Sequence, residues 1–188
     1  ISSDIGGRAY VVGDLIILSN VLSGLISSIF SSTAISLAVS IVVLLSLTRR
    51  LGQSLLVIVP VGLAGSWVVG SMAILGINWN VLTIMIIALT IGLGIDYSIH
   101  VWRRFESNKA KGMGIWSAME EMYMTTGSSL LLSAGTTISG FLVLVLSPVP
   151  VIRDFGLVSS ISVAFSLILA LLVLPGLLAA EFRTNGSK

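Results

Sequence analysis

Asp96, Tyr97 and His100 stand in the stretch Ile91-Gly-Leu-Gly-Ile-Asp-Tyr-Ser-Ile-His100, directly after the apolar run Val81-Leu-Thr-Ile-Met-Ile-Ile-Ala-Leu-Thr90. A carboxyl group held away from water is driven toward its neutral form and can bind and release a proton near neutral pH. A histidine one helical turn away can pass that proton on, or can be an interfacial residue with no titrating role. Tyr97 points about 100° away from Asp96 around a helix. It is therefore placed to serve a neighbouring helix, or a second copy of the bundle, rather than Asp96 itself. Proton transfer is the chemistry these types and spacings suit.

Whether Asp96 lies in the membrane depends on where its helix ends. A helix stopping at Ile95 would have about 15 residues and a length of roughly 22 Å, short of a hydrocarbon core of about 30 Å. Extension to Val101 restores the span and sets Asp96 about 10 Å inside the boundary. Aspartate is too short to snorkel, and intramembrane acids are costly and rarely idle. The alternative is a short, tilted span with Asp96 as a wet end residue.

Ala88, Gly92, Asp96 and His100 recur at four-residue intervals, with Thr90, Gly94 and Ser98 nearly opposite. Small residues at this spacing let membrane helices approach closely. Two such rows predict a central helix gripped on both sides. Matching rows occur at Gly62, Ser66 and Gly70, at Ser32, Ser36 and Ser40, and at Ser129, Ser133, Thr136, Thr137 and Gly140. Ser133 and Thr137 are assigned a supporting role near the carboxylate.

The elements that must position these residues follow from composition. The 188 residues are 55% hydrophobic and 10% charged, with a mean hydropathy of +1.08, which marks an integral membrane protein. Five segments, 31–47, 54–75, 81–101, 126–146 and 155–179, are long and apolar enough to cross a bilayer. Leu15, Leu18, Leu22, Leu25, Ile26 and Ile29 predict an amphipathic linker helix over 14–30, capped by Asp14. Residues 1–13 are expected to end an extracytoplasmic domain, 31–182 to form the bundle, and 183–188 to be a cytoplasmic tail. The segment 114–125 predicts a short amphipathic helix lying on the cytoplasmic membrane surface, with Ile115, Trp116, Met119, Met122 and Tyr123 on one face and Glu120 and Glu121 on another. A solvated loop is the alternative there.

Arg49, Arg50, Arg103, Arg104, Lys109, Lys111, Arg183 and Lys188 fall on one side of these spans, and Arg8 and Arg153 on the other. The positive-inside rule puts the first group, and the C-terminus, in the cytoplasm. Trp79 and Trp102 bracket the third span as interfacial anchors. The chain has one histidine and no cysteine, so no metal cluster or disulfide is expected. Gly92-Leu-Gly94 lacks the remainder of a phosphate loop. No cofactor and no nucleic-acid partner are expected; protons would be the coupling ion.

The run Gly92-Leu-Gly-Ile-Asp-Tyr-Ser-Ile-His100, followed by Arg103-Arg-Phe-Glu106, resembles the central-helix motif of resistance–nodulation–division (RND) transporters. Within them it is similar to the hydrophobe/amphiphile efflux branch that includes the MmpL-type exporters. Thr126-Gly127, Ser133-Ala-Gly-Thr-Thr-Ile-Ser-Gly-Phe141, Arg153-Asp-Phe-Gly156 and Leu174-Pro-Gly-Leu-Leu178 extend the resemblance in order, as do 49–60 and Gly76-Ile-Asn78 upstream. The resemblance implies an all-α membrane protein: five transmembrane helices of an RND-type six-helix half-bundle, plus the surface helix. The first helix, an extracytoplasmic domain and the homologous half would lie elsewhere, so the chain is expected to be a piece of something longer.

The resemblance further implies that Asp96 and Tyr97 match the proton-carrying pair that faces its counterpart across the two halves. His100 would complete the relay, and Ala88, Gly92, Gly94, Ser133, Thr137 and Gly140 would pack around it. Partners would be a lipid or amphiphilic substrate, the membrane, the other half or a second copy. The expected activity is proton-driven export across the cytoplasmic membrane. A sterol-sensing-type module and an accessory of Sec protein export share the architecture; the Sec motif lacks Tyr-Ser-Ile-His after its aspartate.

Overall fold

The computed structural model describes residues 51–185, with eleven helical positions scattered between 23 and 46. The linker helix over 14–30 and the first span over 31–47, as continuous elements, lie outside the described residues, as does the domain end at 1–13. Five helices follow: α1 (Leu51–Leu75), α2 (Val81–Ala110), α3 (Ile115–Met122), α4 (Ser128–Leu144) and α5 (Pro150–Asn185). Four stretches among the described residues are long and apolar enough to cross a membrane: Gly52–Leu75, Leu82–Ala110, Ile115–Leu144 and Pro150–Phe182.

Local chemistry sets the helix boundaries. Gly76 ends α1 at φ +66°, and the Ile77 amide donates to the Met72 carbonyl at 3.0 Å. That left-handed turn suits a residue without a Cβ. Asn80 then starts α2, its side chain accepting from the amides of Leu82 and Thr83, while the Thr83 hydroxyl accepts from the Asn80 amide at 2.8 Å. This reciprocal capping satisfies amides that the first turn leaves free. Pro150 opens α5, a position where its missing N–H costs nothing.

α5 is the hub. It packs against α1, α2 and α4, while α1 also packs on α2 and α3 on α2. The expectation of a third span gripped on both sides is met on one side only by the described residues. Among the described residues α2 is covered on the side of Thr90, Gly94 and Ser98, and the opposite row is left open. Thr90 donates to the Ile86 carbonyl at 2.7 Å, so the 2.6 Å contact with Ser162 is donated by Ser162. A Cβ on Gly94 would already touch Val61 and the Ser166 hydroxyl at 3.4 and 3.6 Å. The approach of α4 to α5 is closer still, because a Cβ on Gly156 would lie 2.6 Å from the Phe141 carbonyl oxygen.

Two corrections follow. The surface helix expected over 114–125 is not separate: α3 runs through the π-helical turn Tyr123–Gly127 into α4 without a break. The turn stays hydrogen-bonded, and buried Gly127 lets it sit against Tyr123 and Leu171, so nothing ends the helix there. Trp102 is not a lipid-facing anchor. It is buried in the core with Tyr97, Val101, Phe105, Met119, Met122 and Leu174, while Trp79 is exposed.

Candidate functional site

Asp96 and His100 share one face of α2, one turn apart, with Nε2 of His100 3.5 Å from Oδ1 of Asp96. Their side chains are 63% and 58% exposed, respectively, so this face is uncovered among the described residues. Gly92, one turn earlier, is also exposed, and Ala88 is half-buried. The row is thus a carboxylate and an imidazole on a floor of small residues, with room for another helix to lie against it.

The other expected site residues divide. Tyr97 is 3% exposed and sits in the core of the bundle, behind the face that carries Asp96. Gly94 packs on the covered side, against Val61 and Ser166. On α4, Ser133 is exposed and shares a cleft of about 420 Å³ with His100, Arg104, Thr125, Thr126, Ser129 and Leu130. Thr137 donates to the Ser133 carbonyl at 3.0 Å, and Gly140 is exposed three residues further on. The structure therefore brings His100 and Ser133 together, while Thr137 and Gly140 do not line the cleft.

Arg104, Thr125, Thr126 and Ser129 are cleft residues that sequence reasoning did not assign to the relay. Ser129 could have been found, since it precedes Ser133 by one turn. So could Arg104, which follows His100 by one turn; its ion pair with Glu121, 3.0 Å between Nη2 and Oε1, could not. That pair ties α2 to α3, and Arg104 itself lines the cleft. Nearby, Gln53 donates to Glu106 at 2.8 Å, and the Asn108 amide donates to the Ala118 carbonyl at 3.0 Å. These bonds hold the cation-rich end of α2 in a fixed place relative to α1 and α3.

Asp96 and His100 thus stand as a close acid–imidazole pair, and His100 also lines a polar cleft with Arg104 and Ser133. Among the described residues no three histidine, aspartate or glutamate side chains converge as metal ligands would.

A family model described as the MMPL family matches residues 2–185. The membrane protein MJ1562 of Methanocaldococcus jannaschii is 37% identical over 131 residues, 70% of this chain and 34% of that protein. Protein patched homolog 2 of Homo sapiens is 30% identical over 132 residues, 65% of this chain and 11% of its own. Protein patched homolog 1 of Danio rerio is 26% identical over 137 residues, 68% of this chain and again 11% of its own. The chain spans about a third of the first relative and about a tenth of the other two.

Proposed function

The chain belongs to the MMPL family of RND transporters, and on that premise we propose that it is the membrane part of a proton-driven exporter of lipids or other hydrophobic and amphiphilic molecules. The observation that carries the reading is the open face of α2, where Asp96 and His100 lie 3.5 Å apart beside exposed Gly92. Ionisable side chains on a membrane helix are costly unless they face protein or water. Its uncovered position fits a face completed by the homologous half or by a second copy.

In this reading Asp96 takes the proton from the far side and His100 relays it into the cleft with Ser133 and Arg104. Tyr97 holds the relay helix against its own bundle from within the core. The cation-rich end of the bundle, with Arg103, Arg104, Lys109 and Lys111, faces the cytoplasm, and the membrane is the cytoplasmic membrane. One elementary charge crossing 100 mV supplies about 2.3 kcal/mol to drive the cycle.

The test is efflux of a hydrophobic dye, Nile red, from cells expressing the full-length protein. Asp96→Asn should abolish efflux while leaving expression unchanged, and a protonophore should do the same to the unmodified protein. Efflux that survives both treatments refutes the reading.

A second reading is a sterol-sensing-type module that binds lipid without pumping. It is favoured by a wide apolar groove between the α3 end of the α3–α4 helix and α5. It predicts lipid binding that is indifferent to Asp96→Asn and to the proton gradient.

A further inference from the structure

On the side of α5 that meets α3, the residues from Ile115 to Met124 and from Leu172 to Ala180 enclose a groove of about 980 Å³. Its size is at the upper end of ligand pockets, roughly 300–1,000 Å³. Both walls belong to helices that are long and apolar enough to cross a membrane, which sets the groove within reach of lipid. The two walls run antiparallel, since Tyr123 is bonded to Leu171 while Phe141, further along the first, packs on the earlier Phe155 of the second. From Trp116 to Met124 the groove is about 12 Å long.

The lining is apolar apart from Glu120 and the Tyr123 hydroxyl, and that hydroxyl is committed to the Leu171 carbonyl. Glu120 is not on a solvent face opposite Trp116; the two are one turn apart and share the groove. Its neighbour Glu121 is neutralised by Arg104, whereas Glu120 has no hydrogen-bond or ion-pair partner among the described residues. A free carboxylate on the wall of an apolar groove attracts a cation. A primary ammonium also donates hydrogen bonds to it, which strengthens the contact.

We infer that this groove binds a lipid whose headgroup carries a primary ammonium, with the ammonium at Glu120 and an acyl chain along Met124, Leu172 and Gly176. The site lies away from the Asp96 face, and its occupancy is read without any transport measurement. Failure here would leave the proton-coupled reading untouched.

The experiment uses the full-length protein in phosphatidylcholine vesicles containing a photoactivatable phosphatidylethanolamine. A second set contains the phosphatidylglycerol analogue with the same chains. The ethanolamine probe should label peptides spanning 115–124 and 172–180, and the glycerol probe should label them weakly. Glu120→Gln should cut ethanolamine labelling by about tenfold, the effect of removing one charge-assisted hydrogen bond. Gly176→Leu fills the groove at a position where a Cβ meets open space, so it should block labelling while the bundle stays folded. Equal labelling by the two probes, undiminished labelling of either variant, or no labelling because protein covers the groove would each overturn the inference.

Discussion

The hydroxyl of Tyr123 donates to the carbonyl of Leu171 at 2.8 Å, the carbonyl that Pro175 four residues later cannot satisfy. Proline has no amide hydrogen, so within α5 the Leu171 oxygen loses its helical partner. Tyr123 lies in the π-helical turn between α3 and α4, and it supplies the missing donor. The pair locks the irregular point of one membrane helix onto the irregular point of another.

Tyr123→Phe leaves that carbonyl without its donor and should cost about 1–3 kcal/mol. Denaturant unfolding in detergent measures the loss. Pro175→Ala restores an amide to Leu171, so the double variant should lose less than the sum of the two single ones. Strict additivity would show that the two features are independent.

Thr90 and Ser162 make the buried polar contact between α2 and α5. Thr90→Val should destabilise by about 1–2 kcal/mol, because the Ser162 hydroxyl then stays buried with nothing to donate to. Adding Ser162→Ala should recover part of that loss in the same unfolding assay. A double variant no better than Thr90→Val would remove this contact from the account.

Gly156 is a close-approach position, and its added methyl would press on the backbone of α4. Gly156→Ala should cost about 1–3 kcal/mol, or force α4 and α5 apart. Gly140→Ala, where a Cβ meets open space, is the control and should be near neutral among the described contacts. Equal stability of the two variants would contradict the packing described.

Much of this was legible from residue types. Hydropathy over windows of about 20 residues located the four described spans. What stayed hidden concerns rotation about helix axes. Gly92 and Gly94 lie on opposite sides of α2, and nothing in a small-residue row says which side meets its own bundle. The partner row decides it: on α5, Ser162 bonds Thr90 and Ser166 meets Gly94. Ser162 and Ser166 are one helical turn apart, a spacing visible in the sequence, but spacing alone does not say which helix they meet. The π-helical turn was not readable, because hydropathy divides 114–125 from the span that begins at 126, and no residue type there shows that the backbone hydrogen bonds continue across the join. Trp102 was misplaced for a similar reason: its type suits an interface, but its angular position turns it toward Phe105 and Met119.

The central claim is that Asp96 is the proton carrier of a coupled transporter. The most direct measurement is proton flux in proteoliposomes of the full-length protein, read with an internal pH dye, on adding a fluorescent lysophospholipid. The unmodified protein should move protons only when the lysophospholipid is present. Asp96→Asn should lie at the level of empty vesicles, with the protein still folded, and His100→Gln should slow the flux without abolishing it. Proton movement by Asp96→Asn equal to that of the unmodified protein would contradict the account.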